Sequence, residues 1–427
     1  MSEYLPTEMM VQIFSRLPPK SLLQLRCLSK FWNSLISSPD FIWLHTQQSV
    51  LLKPYKHLFK RNFSTALKKE KIRLADVSDV GTEMPLRSPF NGRAPDYIYC
   101  RIIGICNGVL CVLDDLFEYK SRVVLWNPSI NRCLTLPMTP LCCDNSRTYV
   151  FVFGFGFAAK TRDYKVVRMA YARGDGQYLL PPRVEIYALS SGIWKDFDGF
   201  IPDIGVVEYF WTQVVVCGKV HWTAYKRNGE RRVENLIMAF NLNEEIFQEL
   251  SLPEILVNEP PMNLNVAQLE ELLVVYQYDT RIWSSSCSIW VMKRYGDTDS
   301  WSKEYNVALG QGHLGMVLAV TDCSKILLTD ITGLLAVYNP ETQTKESIDL
   351  AGTMYSFYYD NYEESLVLLD KGELLPPVDL TSEESTDADD EDVEENDPQI
   401  RELRKHHVMH RRVTAFLGAR NNNEQML

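Results

Sequence analysis

The chain has 427 residues, 46% of them hydrophobic, with nine Trp, 18 Phe and 21 Tyr, enough length and apolar bulk for a small domain beside a large one. Ten of the 55 acidic residues fall between Glu383 and Asp397, and the other 45 nearly balance 44 Lys and Arg, so the net charge of −11 belongs to one short stretch. A near-neutral body argues against a general grip on nucleic acid. No run of about eighteen apolar residues exists, and Glu3, Pro6, Glu8 and Gln12 interrupt the start, so neither membrane insertion nor a signal peptide is predicted. Ten cysteines without a CxxC pair read as buried free thiols of a reducing compartment, which makes cytoplasm, nucleus or both the expected location.

The first element is a helical head. Leu5-Pro6 is extended or a turn, and Met9, Met10, Ile13, Phe14 and Leu17 then recur at helical spacing. Pro18-Pro19 ends this helix, and Pro19 suits the first turn of the next because it has no N–H to leave unpaired. Leu22, Leu23, Leu25, Leu28, Phe31, Trp32, Leu35 and Ile36 follow, and Pro39 reads as the stop. Two or three short helices bury little surface alone. Their apolar side chains need either the next domain, as a cap on its edge, or a separate protein.

From Tyr99 the pattern changes to short alternating strands, with Asn-Pro, Asn-Gly and Ser-Gly at the turns. An aromatic-bearing strand, a polar turn and a second strand recur: VVLWNPSINRCLTLP, VEIYALSSGIWKDF, IMAFNLNEEIFQELSLP, SIWVMKRYGDTDSWSKEY and LAVYNPETQTKESIDL. Their anchors Trp126, Tyr187, Phe240, Trp290 and Tyr338 are 48 to 61 residues apart, the period of four-stranded propeller blades. Elements such as GICNGVLCV and VVVCGKVHWTA read as the hairpins that open these units. VLLKPYKHLFKR and KEKIRLADVSDV near the start, with Leu366–Asp370 near the end, are expected to join the two ends in a further blade, since closure removes exposed edges. A β-sandwich body is the competing fold. The expected organisation is a head at 1–45, a connector with candidate first-blade strands at 46–98, the β body at 99–375 and a disordered tail, acidic then basic, at 376–427.

Little in the chain looks like chemistry. GFGFAAK from Gly154 is a strand pair rather than a dinucleotide fingerprint, and no P-loop, H-E-x-x-H or nucleophile elbow occurs. His221, beside Trp222 in a strand pattern, reads as a packed or hydrogen-bonded imidazole. His406, His407 and His410 lack the cysteine or carboxylate that would complete a metal site. Asp114-Asp115 and Glu244-Glu245 read as turn residues. No catalytic residue, cofactor or metal is predicted. Tyr209, Phe210 and Trp211 in VVEYFWTQ, and His313 in the loop-like GQGHLGM, are candidates for contact with a target, because aromatic anchors dominate many interfaces. A core strand is the competing reading of the three aromatics.

The ordered set Leu5-Pro6, Ile13, Leu17-Pro18, Lys20-Ser21-Leu22-Leu23, Arg26-Cys27, Ser29-Lys30, Trp32, Leu35-Ile36, Pro39 and Phe41 resembles an F-box. GICNGVLCV, LWNPSINRCLTLP, FGFGFAAKTRDYKVVRM, VEIYALSSGIWK, GKVHWTA and AFNLNEEIFQEL resemble, in order, the F-box-associated domain of plant F-box proteins. The paired glycines of kelch repeats are absent. The resemblance implies a mainly β protein, with a small N-terminal α-helical F-box followed by a β-propeller-like domain. It implies docking on a Skp1-like adaptor through Leu5, Pro6, Ile13, Leu17, Pro18, Leu22 and Leu23, with Phe31 and Trp32 packing the helices together. Cullin 1 would join through the adaptor, and the β domain would recruit an unidentified target protein for ubiquitination. Relatives of this kind include proteins that limit immune receptors and pollen-side self-incompatibility factors, and the domain type does not separate these roles. The alternatives are a non-degradative scaffold or inhibitor and a propeller-scaffold enzyme acting on carbohydrate.

Overall fold

The computed structural model describes residues 6–52, 56–64, 69–76, 79–90, 100–114, 122–138, 149–173, 178–206, 213–228, 232–279, 286–308, 314–321, 324–330, 332–352 and 356–375. Four helices come first: α1 (Thr7–Phe14), α2 (Pro19–Arg26), α3 (Lys30–Ile36) and α4 (Pro39–Leu52). Pro39 starts α4 instead of ending the helical run, because a residue without an N–H loses nothing in a first turn. The Ser38 hydroxyl caps that helix by accepting from the Phe41 N–H at 3.3 Å. The head therefore extends past residue 45. None of the described helices is long and apolar enough to cross a membrane.

Six antiparallel sheets follow, which settles the body as a propeller and not a sandwich. Blade 2 runs Cys100–Cys106, Val109–Asp114, Val123–Asn127 and Arg132–Thr135, and blade 3 runs Tyr149–Ala158, Asp163–Arg173, Tyr178–Ala188 and Ile193–Asp196. In blade 4 two short pieces, Gly205–Val206 and Val214–Val216, pair with Lys219–Asn228, followed by Arg232–Asn241 and Ile246–Ser251. Blade 5 is Leu264–Leu269, Leu272–Asp279, Ser286–Met292 and Trp301–Ala308. Blade 6 is Leu314–Val320, Ile326–Asp330, Leu334–Asn339 and Thr344–Ala351. Each of the five aromatic anchors falls on the third strand of its blade, in blades 2 to 6.

Blade 1 joins the two ends of the body. Lys56–Ser64, Lys69–Asp76 and Asp79–Leu86 supply three strands, and Phe357–Asn361 supplies the innermost one, in register from Lys56↔Asn361 to Lys60↔Phe357. The closing strand is thus FYYDN and not Leu366–Asp370. That later run joins no blade: Leu366, Val367, Leu368 and Leu369 are buried in the core shared by blades 2 and 3. The innermost strands neighbour one another in cyclic order through all six blades.

Blades touch through apolar faces with a few specific bonds across them. The Trp222 indole N–H of blade 4 donates to the Phe153 carbonyl of blade 3 at 2.9 Å. A Cβ on Gly154 would lie 2.5 Å from that indole, which is why the strand reads FGF there. Lys165 of blade 3 donates to the Leu242 carbonyl at 2.7 Å and to Glu245 at 2.6 Å on blade 4, so the Glu244-Glu245 turn also fastens two blades. Asn107 (φ 49°) and Gly108 (φ 74°) form the left-handed turn that opens blade 2. A Cβ on Gly108 would stand 2.2 Å from the Glu363 carbonyl oxygen.

Past the closing strand the chain is strapped back across blade 2. Buried Asn127 donates to the carbonyls of Ser365 (3.0 Å) and Val367 (2.8 Å) and to the Ser365 hydroxyl (3.1 Å). Its own oxygen accepts from the Ser129 N–H (3.0 Å) and hydroxyl (2.9 Å). Glu373–Leu374 then adds a strand to the outer edge of blade 2. Asn127→Ala leaves two buried carbonyls without this donor, each worth about 1–3 kcal/mol. A loss of about 3 kcal/mol is expected from denaturant unfolding followed by tryptophan fluorescence; a change under about 0.5 kcal/mol would show that the strap does not depend on this amide.

Candidate functional site

The head shares a core with the propeller. Leu22, Ile36, Phe41 and Ile42 are buried in one cluster with Val109, Cys111, Leu125 and Ile130 of blade 2, Phe155, Tyr164 and Tyr187 of blade 3, and the strap residues Leu366 to Leu369. Helix α2 lies against the Pro128–Ile130 turn of blade 2. On α4, Trp43 stacks on Phe157 of blade 3 at 5.3 Å, and the Arg162 guanidinium lies over the Trp43 ring at 5.2 Å. All these turns sit at the end of the propeller where the first strand of each blade meets the second and the third meets the fourth.

Within the head, polar bonds fix the helices. The Ser29 hydroxyl caps α3 by accepting from the Trp32 N–H at 3.1 Å, and Arg26 Nε donates to Asn33 at 3.0 Å to tie α2 to α3. His45 Nε2 donates to the Leu17 carbonyl at 2.9 Å, holding the α1–α2 corner to α4. The Trp32 ring lies 4.9 Å from both Phe14 of α1 and Phe31 of α3. A short helical bundle with these ties has its corner geometry set before any partner arrives.

What remains outside is apolar. Helix α1 has no buried residue, although it reads TEMMVQIF. Met9 is 51% exposed and Ile13 47%, one turn apart on the same face. Leu28, in the turn before α3, is 72% exposed and Phe31, in its first turn, 51%. Four large apolar side chains of one small unit are thus about half exposed or more, although Phe31 also meets Trp32 edge-on.

The residues expected at an adaptor interface divide accordingly. Pro6, Ile13 and Pro18 are exposed, and Leu17 and Leu23 are half-buried against the shared core. Leu22 has no exposed surface and packs on the propeller, so its side chain is a core element. Leu5 lies outside the described residues. Phe31, expected to pack helices together, instead presents half its surface to solvent while its edge meets Trp32. Met9, Leu28 and Phe31, outside the set that the resemblance implies, are exposed as well, and helical periodicity does not say which side the propeller takes.

The candidates for target contact, Tyr209, Phe210, Trp211 and His313, lie outside the described residues, as do His406, His407, His410 and the charged tail. Tyr209 to Trp211 fall between the two innermost pieces of blade 4. Just after them, Gln213 receives the Phe155 N–H of blade 3 at 2.8 Å. His221 is fully buried and bonded through Nε2 to the Tyr295 hydroxyl of blade 5 at 2.7 Å, as a packed imidazole should be. Among the described residues no group of three or more His, Cys, Asp or Glu is placed to hold a metal ion.

Comparison with known proteins matches residues 63–367 to the family described as F-box associated beta propeller domain and residues 2–47 to the F-box-like family. F-box protein CPR1 of Arabidopsis thaliana is 26% identical over 392 residues, covering 87% of this chain and 90% of that protein. F-box protein At4g22390 of Arabidopsis thaliana is 28% identical, covering 86% of this chain and 91% of its own. F-box/kelch-repeat protein At3g23880 of the same plant is 25% identical over 78% of this chain and 87% of its own.

Burial holds both structural imidazoles neutral. It lowers His45 below the ordinary histidine range, opposed in part by the Leu17 carbonyl, and pushes His221 down to about 4, opposed in part by backbone hydrogen bonding at Val214. The unfolded chain then binds more protons than the folded one below about pH 6.5, so stability is full above that pH and falls on acidification. His221 alone is expected to cost about 2 kcal/mol at pH 5. Unfolding midpoints at pH 7.5 and 5.0 check this: the pH dependence should shrink in His221→Gln, and an unchanged slope would remove His221 as its source.

Proposed function

The chain belongs to the F-box proteins that carry an F-box associated β-propeller domain, and from that premise we propose that it is the target-recruiting subunit of a Skp1–cullin–F-box ubiquitin ligase. The head docks a Skp1-like adaptor, cullin 1 joins through that adaptor, and the propeller holds a protein target for ubiquitin transfer. Partnership with that machinery puts the chain at work in the cytoplasm, the nucleus or both.

The observation that carries this reading is the division of the head. One side is welded into the propeller core, and the other leaves Met9, Ile13, Leu28 and Phe31 in solvent. A cap serving only its own β domain would turn those side chains inward. The role asks for no reacting group. It is geometric: one rigid body raises the local concentration of target lysines near a charged conjugating enzyme.

The adaptor-facing set in this proposal is Pro6, Met9, Ile13 and Pro18, extended by Leu28 and Phe31, with Leu17 and Leu23 supporting it from below. Met9→Asp with Ile13→Asp should cut adaptor capture at least about tenfold, because a charge would then be buried in an apolar interface. Both positions are half-exposed, so propeller unfolding should shift by less than about 0.5 kcal/mol. The half-life of captured targets in cells should lengthen in parallel. Undiminished adaptor capture by the double variant defeats the docking assignment, and unchanged target turnover despite lost capture favours a scaffold that acts without ubiquitin transfer.

A further inference from the structure

The connections that carry the chain from the last strand of one blade into the next cross from the outermost strand of one blade to the innermost strand of its neighbour. Two of them flank blade 4. Residues 197–204 follow Ile193–Asp196, whose register Ala188↔Ile193 to Glu185↔Asp196 leads away from the head end. Residues 252–263 follow Ile246–Ser251, which leads the same way.

Both connections are pinned from beneath. Phe197 lies edge-on to Phe240 at 5.9 Å and Phe247 at 5.5 Å, Ile204 is fully buried, and its carbonyl accepts from the Tyr171 hydroxyl at 3.1 Å. In the second, buried Asn235 donates to the Leu256 carbonyl at 3.0 Å and the Glu259 carbonyl at 2.7 Å, and Leu256 is fully buried. Between these anchors each connection holds one large apolar side chain in solvent. Phe200 is 82% exposed, the largest value among the described large hydrophobics, and Ile255 is 61% exposed. A fixed backbone with a protruding aromatic is the arrangement of an interface anchor, since little ordering entropy remains to be lost on binding.

Charge selects the occupant. Neither connection contains Lys or Arg, while Asp198, Asp203, Glu254 and Glu259 lie on them. The first three are exposed, and no cation among the described residues pairs with them. On the neighbouring strand Lys219–Asn228, Lys226 pairs with Glu249 and Arg227 lies over the Tyr225 ring at 5.9 Å, while exposed Lys195 stands on the strand that leads into the first connection.

We infer that these two connections are the target-docking surface, and that it takes a protein segment in which Lys or Arg alternates with apolar side chains. The inference rests on the target-recruiting reading above and gives that target a chemistry. Phe200 and Ile255 meet the apolar side chains, and the unpaired carboxylates meet the cations while repelling acidic segments. Nucleic acid is disfavoured by the same carboxylates.

The test pans the full chain, bound to its adaptor, against a display library of random twelve-residue peptides, with Phe200→Ser as counter-selection. Selected peptides are then synthesised and titrated. The expected peptides are rich in Lys or Arg with interspersed apolar residues. They should bind at least about tenfold more weakly to Phe200→Ser and to the Asp198→Asn, Asp203→Asn, Glu254→Gln triple variant, and more weakly as salt rises from about 50 to 300 mM. No enrichment over the counter-selected variant, neutral or acidic peptides, or equal affinity for all three proteins overturns the assignment. So does self-association that Phe200→Ser abolishes, because the surface would then pair with a second copy. Adaptor capture measured on the same samples separates the two claims: its retention with failed panning removes only this surface, and its loss removes the receptor reading.

Discussion

The structure depends on one antiparallel pairing, Phe357–Asn361 against Lys56–Ser64. An open row of blades would end in two bare strand edges, each a template for aggregation. Pairing a strand from the far end of the chain with three from its beginning removes both edges at once. It also fixes everything else, because the six inner strands can surround one axis only when the ring is shut. The contact is as non-local as the chain permits, so the head and the first three strands must wait for nearly the whole body before their surroundings are complete.

The strap that follows turns this closure into a platform for the head. Asn127 sits at the end of the third strand of blade 2 and grips Ser365 and Val367, which carries Leu366 to Leu369 under α2 and α4. The head therefore rests on two pieces of chain more than two hundred residues apart in sequence. Its orientation is set by the closed ring and not by a flexible hinge, because the apolar cluster beneath it draws on blades 2 and 3 as well as on the strap. For a protein that must hold one partner at a fixed place relative to another, such rigidity is the useful property.

Much of this was legible in the residues. The recurrence of Trp126, Tyr187, Phe240, Trp290 and Tyr338 marked five of the six blades and their phase, since each anchor falls on a third strand, whereas the blade built from the two chain ends carries no such anchor in that series. Asn107-Gly108 announced its turn, since few other pairs accept two successive positive φ values. The closing strand was misplaced because Leu366–Asp370 is the more hydrophobic run, and hydrophobicity alone does not distinguish a buried strap from an inner strand. Pro39 was misread for a related reason: proline ends one helix and begins another with equal ease, and only the Ser38 cap decides.

The head shows most clearly where sequence stops and tertiary structure begins. Its residues determined by themselves that short amphipathic helices would form and would carry more apolar surface than so small a unit can bury. They also carried an ordered motif that pointed to a family. They did not determine which of those side chains would face the propeller, because the 3.6-residue period marks an apolar stripe but not its neighbour. Only the packed structure put Leu22 inside and left Met9, Ile13, Leu28 and Phe31 outside, since that choice is made by the shape of blades 2 and 3 and a strap from the other end of the chain.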